Sequence, residues 1–393
     1  MSSQASTLEL DRAESSRAAL RPLILFCCAH FFIDMYSSAL GVMQPSLLAQ
    51  YRLSLTQAGI LAGTLVFSSS MMQPVYGYLS DRFHTYLFTA LAPAVAAVFI
   101  SSLGFASGYW TLLAMVWLGG AGIASFHPQA TANATLGVTT RRGRAMATFI
   151  SAGTLGLAFG PTYFSWMTGM LGLTRTWWAA LPGILMTVLL LAFLRLSPPS
   201  SGSRLRFDLA PLRAVRRPLA ILFLLVVIRS IVQVTFAQFL PLYLKLQQGY
   251  TLANASYITS AYLVAGALGG FTGGTLADRF GGRRIILFSM ICSVPFLLLF
   301  VFTTGPLSMA GLILGGMILL FTIPVNVMMG QALVPANAGT VSALMMGAAW
   351  GAAGMIFIPL TGWVSDHYTM QHAFAGLVVM PLAGFFLALK LPK

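Results

Sequence analysis

Apolar residues in this chain do not alternate along strands, nor do they form a one-sided helical stripe. They come in long, nearly unbroken runs separated by short polar stretches. A helix that crosses a bilayer needs roughly 20 mainly apolar residues. Twelve runs qualify, at about 22–49, 55–79, 86–106, 109–132, 145–169, 177–194, 218–246, 252–276, 285–303, 307–333, 340–365 and 372–389. The pattern predicts an all-α membrane protein with twelve transmembrane helices. The first run is too long for a cleaved signal peptide, and eleven more follow it. Residues 1–21 are polar and Ser-rich and read as a flexible cytoplasmic tail.

Composition narrows the class. Only 8% of residues are charged and 58% are hydrophobic, whereas soluble domains carry about 25% charged residues. That excludes an ordinary cytosolic enzyme, a disordered chain and a nucleic-acid binder. The basic excess, 22 Lys+Arg against 8 Asp+Glu, is explained by topology, because positively charged loops stay in the cytoplasm. With the N-terminus inside, 18 basic residues fall in inside segments, 3 (Arg52, Arg175 and Lys245) in outside loops, and Arg229 within a span. Both termini are therefore expected in the cytoplasm, in a bacterial-type inner (plasma) membrane. Cys27, Cys28 and Cys292 lie in apolar runs and read as packing residues. No His/Cys set has zinc-site spacing, so neither a metal nor a cofactor is expected.

The longest polar stretch, 196–217, separates six spans from six. The expected organisation is a tail (1–21), an N-terminal six-helix bundle (22–195), a cytoplasmic linker (196–217) and a C-terminal six-helix bundle (218–393). The halves repeat. Asp81-Arg82-Phe83 returns as Asp278-Arg279-Phe280 and Gly77 as Gly274, both at an offset of 197. Pro45 and Pro128 map to Pro241 and Pro324 at 196, and Pro161 to Pro359 at 198. Several features at nearly one offset argue for duplication. Two pseudo-symmetric halves with proline-interrupted spans point to a transporter whose substrate lies between them.

The segment Gly274-Thr275-Leu276-Ala277-Asp278-Arg279-Phe280-Gly281-Gly282-Arg283-Arg284 resembles the signature loop of the major facilitator superfamily. Its first-half copy, Gly77 to His84, keeps Gly77, Asp81 and Arg82 but loses the closing glycine and arginines. A carboxylate at a helix end that pairs with arginine or caps a neighbour makes a conformational latch; the plainer alternative is a positive-inside turn. Span 5, with Gly153-Thr154-Leu155-Gly156 and a Gly160-Pro161 helix break, is similar to the glycine-rich motif of drug/proton antiporters, although such spacing also serves simple helix packing.

A narrower resemblance is to the fosmidomycin-resistance branch. It rests on Ala29-His30-Phe31-Phe32-Ile33-Asp34-Met35, Gln73-Pro74-Val75-Tyr76-Gly77, Ser125-Phe126-His127-Pro128, Gln331 and Gly362-Trp363-Val364-Ser365-Asp366-His367. It implies proton-driven efflux of small toxic compounds, the namesake being an anionic phosphonate antibiotic, by a protein that works as a monomer. The chain departs from the branch at two positions, with Gln129 and Ala332 where the pattern carries Glu.

Ionisable residues inside a membrane are costly and face a cavity or a partner. Asp34 is the one acid within a span, and His30 lies on the same helix face one turn earlier. Together they are the candidate proton-coupling pair, the alternative being a structural lock. Arg229 in span 7, with Gln233 one turn on, is a candidate contact for an anionic substrate or a gate partner for Asp34. His127, Gln129, Asn326, Gln331 and Gln73 complete the candidate substrate layer, and Pro128 and Pro324 are expected to break their helices. Proton-coupled export by alternating access, with a small-molecule substrate, protons and the bilayer as partners, is the leading expectation. Uptake of an organic anion by proton symport is the alternative. A membrane enzyme would need an interfacial catalytic cluster that the short loops do not offer, and a sensor would need an appended signalling domain.

Overall fold

The computed structural model describes residues 21–83, 85–136, 138, 142–194 and 210–391. The expected tail and most of the linker lie outside them. Twelve helical rods fill the described chain: α1 (Arg21–Tyr51), α2 (Leu55–Ser80), α3 (Leu87–Ser101), α4 (Tyr109–Asn133), α5 (Arg142–Leu171), α6 (Leu173–Phe193), α7 (Arg216–Leu246), α8 (Leu252–Phe280), α9 (Gly282–Phe302), α10 (Gly305–Leu333), α11 (Ala338–His367) and α12 (Met370–Ala388). Each matches one predicted run, with ends displaced by a few residues.

Local chemistry sets several boundaries. The Ser54 side chain accepts from the Gln57 backbone N–H at 3.1 Å and Gln57 answers at the Ser54 N–H at 3.0 Å, a capping box that starts α2. Thr251 and Thr369 cap α8 and α12 by accepting from the Asn254 and His372 backbone N–H groups. The turn into α9 runs through Gly281 at φ 88°, a left-handed conformation that favours glycine. Within the rods nearly every backbone group is paired along the helix, as hydrocarbon requires, while large side chains such as Trp110, Phe271 and Phe386 are exposed on the outer faces.

The rods form two six-helix bundles. In the first, α3 packs on α4 and α6; in the second, α9 packs on α10 and α12, and α7 on α11 and α12. Tyr36 pins α1 to α6 by donating to the Ala179 carbonyl at 2.8 Å and accepting from the Gly183 N–H at 3.0 Å. Phe236, Tyr243, Phe300 and Phe374 interlock α7, α9 and α12, with ring centroids 4.2–6.5 Å apart.

Three helix pairs make the main contacts between the bundles: α2 with α11, α5 with α8, and α1 with α7. Several of their close approaches lie toward one end of the molecule. A Cβ at Gly41 of α1 would lie 2.8 Å from the Ala237 carbonyl of α7. One at Gly59 of α2 would lie 2.8 Å from the Ile358 carbonyl of α11. Thr162 of α5 and Ser260 of α8 share a hydrogen bond of 2.9 Å. These three belong to the half of the molecule that carries the 51–55 and 367–370 turns, the predicted outer side, while α2 and α11 stay in contact further along, where a Cβ at Gly351 would strike Met71.

The expected helix breaks hold at one proline of three. α10 turns at residues 320–321 before Pro324. Pro128 and Pro161 with its neighbour Gly160, in contrast, lie inside uninterrupted helices. Proline removes one ladder bond, and a long helix braced by neighbours on both sides of it tolerates that loss. Gly160 instead serves close packing, because a Cβ there would strike Ser38 and Met35 of α1. In α8 the packing glycines are Gly266, Gly269 and Gly273, against α10, while Gly270 is nearly free.

Candidate functional site

The repeat seen in the sequence has a three-dimensional counterpart. A Cβ at Gly77 of α2 would lie 3.4 Å from Pro128 of α4, and one at Gly274 of α8 would lie 3.5 Å from Pro324 of α10. The two glycine–proline contacts are equivalent in the two bundles. They bring each signature loop to the helix that carries the candidate substrate residues.

Asp34 lies on α1 between α4 and α5. His30 Nε2 is 3.3 Å from Asp34 Oδ2, and His127 Nε2 of α4 is 3.6 Å from Asp34 Oδ1. His30 Nδ1 lies 2.8 Å from the Phe149 carbonyl of α5. A carbonyl only accepts, so Nδ1 carries a hydrogen. In the neutral ring Nε2 is then a bare lone pair aimed at a carboxylate, and the contact becomes favourable when a proton lies between them. The Phe126 and Phe149 rings stand 5.8 and 4.3 Å from the His30 ring and wall off its back. Gly153 of α5 makes the approach possible, since a Cβ there would sit 2.6 Å from Asp34 Oδ2 and press on His30 Nε2. The predicted His30–Asp34 pair is present, and the structure adds His127 to it.

Arg229 on α7 is 2% exposed. Its Nη1 donates to Gln233 Oε1, and its guanidinium carbon stands 5.3 Å from the Trp350 ring centroid on α11. Its Nε has no hydrogen-bond partner. Among the described residues the contacts within 4.0 Å between a basic side chain and a carboxylate are those of Asp34 with the two histidines, so the alternative of an Asp34–Arg229 gate pair is not formed in this state. Asn326 of α10 is fully buried with both amide atoms unpartnered, and the Ser230, Thr235 and Tyr262 hydroxyls are likewise orphaned. Buried polar atoms are costly when unpaired. The second bundle therefore carries several buried polar groups, Arg229 Nε among them, whose hydrogen-bonding capacity is unused.

The other predicted substrate residues are engaged elsewhere. Gln129 turns away from the site: its Oε1 accepts from Thr89 at 2.6 Å and its Nε2 donates to the Thr85 carbonyl at 2.8 Å, tying α4 to α3. Gln331 donates to Ser342 at 2.7 Å, and Gln73 to the Ser69 carbonyl in its own helix at 3.0 Å. One position separates His127 from Gln129 on the helix, which swings their side chains to different faces.

Among the described residues, the signature loop after α8 makes no latch contact through Asp278. Asp278, Arg279 and Arg284 are exposed, Arg279 lies over the Phe280 ring at 5.3 Å, and Arg283 donates to the Leu389 carbonyl at 2.8 Å. Arg82 is also exposed, and the Asp81 side chain lies outside the described set. The closed latch is at the opposite end. Asp366 of α11 accepts from the Leu55 N–H at 2.9 Å, the Thr56 N–H at 2.8 Å and the Thr56 hydroxyl at 2.6 Å. It thus caps the first turn of α2 across the bundle boundary. Facing π-helical stretches, Phe67–Met71 in α2 and Ala343–Ala348 in α11, lie on the same helix pair. Such stretches mark places where a helix can flex.

Two pseudo-symmetric helical bundles with a polar site in each half match one known family throughout. The model of the Major Facilitator Superfamily matches residues 26–354 and 251–393. The chain belongs to the Major Facilitator Superfamily. It is a multi-pass membrane transporter rather than an enzyme. The uncharacterized MFS-type transporter YfnC of Bacillus subtilis (strain 168) is 29% identical over 380 residues, 94% of this chain and 92% of that one. The fosmidomycin resistance protein of Escherichia coli (strain K12) is 26% identical over 366 residues, 91% of this chain and 89% of that one. Among solved structures, a bacterial homolog of the human lysosomal transporter Spinster, inward-facing and occupied, aligns with a TM-score of 0.82 at 14% identity, covering 96% of this chain and 97% of that one. A D-xylose-proton symporter aligns at 0.74 and 17% identity, covering 95% and 98%. These structural likenesses establish the fold.

The sequence signalled His30, Asp34, His127 and Arg229. It did not signal Phe149, Trp350, Ser342 or the Asp366–Thr56 cap, and it marked Gly153 only as part of a glycine-rich motif, not as the residue that admits Asp34 and His30. Those contacts join positions far apart in the chain. It also did not signal a metal-ligand set, yet His30, Asp34 and His127 each place a ligand-type atom within 4.8 Å of the others.

Proposed function

We propose that this protein is a proton-coupled exporter of small, predominantly anionic compounds, working by alternating access. The observation that carries the reading is the Asp34 cluster. The sequence has one acid within its spans, and that acid lies against two imidazoles, one of which presents a lone pair to it. Such a cluster takes up one proton in one conformation and gives it up in another. Arg229, buried and without a carboxylate partner, supplies the attraction for an anionic group, and Trp350 gives it a stacking surface.

The proposed bundles are 22–195 and 218–393, joined by a cytoplasmic linker at 196–217. The proposed setting is a bacterial-type inner membrane with both termini in the cytoplasm, and the proposed working unit is a monomer. In that orientation the Asp366 cap and the α5–α8 hydrogen bond hold the outer side, and the signature loops face the cytoplasm. On this reading the chain rests with its outer side closed. The relationship to a fosmidomycin resistance protein favours export and a phosphonate-like substrate.

An efflux-deficient bacterial host expressing the chain tests this directly. Growth should survive higher doses of anionic phosphonate antibiotics than the empty host tolerates. Equal susceptibility across a panel that includes phosphonates would contradict export.

A further inference from the structure

We infer that His30, Asp34 and His127 form a binding site for a divalent transition-metal cation of the zinc type. The site is built from the side chains to which the proposed function gives the proton, but it does not depend on that reading.

Three observations support it. The first is ligand spacing. Zinc-to-nitrogen and zinc-to-oxygen bonds of about 2.0–2.2 Å put neighbouring ligands of a tetrahedral site about 3.3 Å apart. The two histidine–carboxylate contacts are 3.3 Å to Asp34 Oδ2 and 3.6 Å to Asp34 Oδ1, and one ligand atom of each residue lies within 4.8 Å of the other two, so the carboxylate can face both imidazoles around one ion.

The second is the outer shell. Metal-ligating histidines almost always donate their other ring N–H to a carbonyl or carboxylate, which fixes the tautomer. His30 Nδ1 is held in this way by the Phe149 carbonyl at 2.8 Å, and its lone pair therefore points at Asp34. Two acceptors facing each other call for a cation between them, and a divalent metal meets that need as a proton does.

The third is space and access. Gly153 has no side chain where a Cβ would crowd both His30 Nε2 and Asp34 Oδ2. The Phe126 and Phe149 rings close the back of the cluster, while the Asp34 and His127 side chains are each 20% exposed. An ion has an approach from the open side, and one coordination position stays available there for water or solute oxygen. Metal and proton would compete for the same lone pairs.

The test uses the purified full-length chain in detergent with any affinity tag removed, titrated with Co2+ and then Zn2+. The expected result is one Co2+ per chain, with the visible absorption of a low-coordinate site, displaced by stoichiometric Zn2+. Affinity should fall at least about tenfold in His127→Gln and in Asp34→Asn. It should be unchanged in the double variant His367→Gln/His372→Gln, whose histidines are exposed at the other end of α11 and the start of α12. Monodispersity and thermal unfolding of each variant report folding. Absence of the Co2+ signal from the well-folded wild type would overturn the site, as would a signal that persists in both cluster variants or disappears only in the His367/His372 variant. If wild type binds Co2+ while Asp34→Asn still transports in response to pH, the proton reading falls and the metal site stands; the reverse pattern overturns the metal site alone.

Discussion

Asp366→Ala removes the cap that ties α11 to α2. Three donors lose their acceptor: the Leu55 and Thr56 N–H groups, at 2.9 and 2.8 Å, and the Thr56 hydroxyl, at 2.6 Å. Losing a side-chain N-cap costs about 0.5–2 kcal/mol, and losing a negative charge at a helix N-terminus adds about 0.3–1 kcal/mol. Asp366 is exposed to solvent, which holds the total near about 1.4 kcal/mol, a tenfold change in an equilibrium constant. The cap spans the two bundles, so it exists only while the predicted outer side is closed. Its loss should therefore shift the population toward the outward-open state by roughly tenfold. Spin labels at Arg52 and Tyr368, both exposed near the cap, placed in a background without Cys27, Cys28 and Cys292, report that separation by pulsed dipolar spectroscopy. The long-distance population should rise in Asp366→Ala, and by less in Thr56→Val, which keeps the two backbone contacts. An unchanged distribution in Asp366→Ala would refute the assignment of this contact as the outer latch.

Other substitutions probe the site itself. Gly153→Ala would place a methyl group 2.6 Å from Asp34 Oδ2 and against His30; overpacking costs about 1–3 kcal/mol, and transport should fall severely while the protein remains monodisperse on gel filtration. Gln129→Glu restores the acid of the fosmidomycin-resistance pattern but sets a carboxylate oxygen against the Thr85 carbonyl, where an N–H now donates at 2.8 Å. Thermal unfolding in detergent should show a loss of about 1–3 kcal/mol with no gain in proton-driven transport. Arg229→Lys keeps a charge but loses the planar group over Trp350 and the fork toward Gln233; resistance to anionic compounds should drop, and resistance to neutral compounds should drop less.

The fold was legible because hydrocarbon leaves the chain few choices. A run of about 20 apolar residues must be a helix, so the apolar runs located the twelve rods, nine of which among the described residues are long and apolar enough by themselves to cross a bilayer. The duplication was legible because proline and glycine are fixed by backbone demands that both halves share, and Gly77–Pro128 and Gly274–Pro324 now meet as equivalent contacts. Asp34 and Arg229 stood out because charge in a membrane needs a reason. What could not be read was which side chains share a space. Position along a helix does not fix the direction in which a side chain points: Asp34 turns into its own bundle toward His127, and Arg229 toward Trp350. Gln129 stands among the candidate substrate residues, but its neighbours Thr85 and Thr89 draw it to α3. The cap on α2 joins residues 310 positions apart. Asp366 therefore looked like an ordinary helix-end acid.

The central claim is that one membrane carboxylate links proton movement to solute movement. It is tested most directly by reconstituting wild type and Asp34→Asn into liposomes, imposing a pH gradient, and following a transported anionic compound identified in the resistance screen. The account predicts pH-driven accumulation by wild type and none above protein-free liposomes by Asp34→Asn, with both proteins inserted equally and equally stable. Accumulation by Asp34→Asn at the wild-type rate and with the wild-type dependence on the gradient would contradict it.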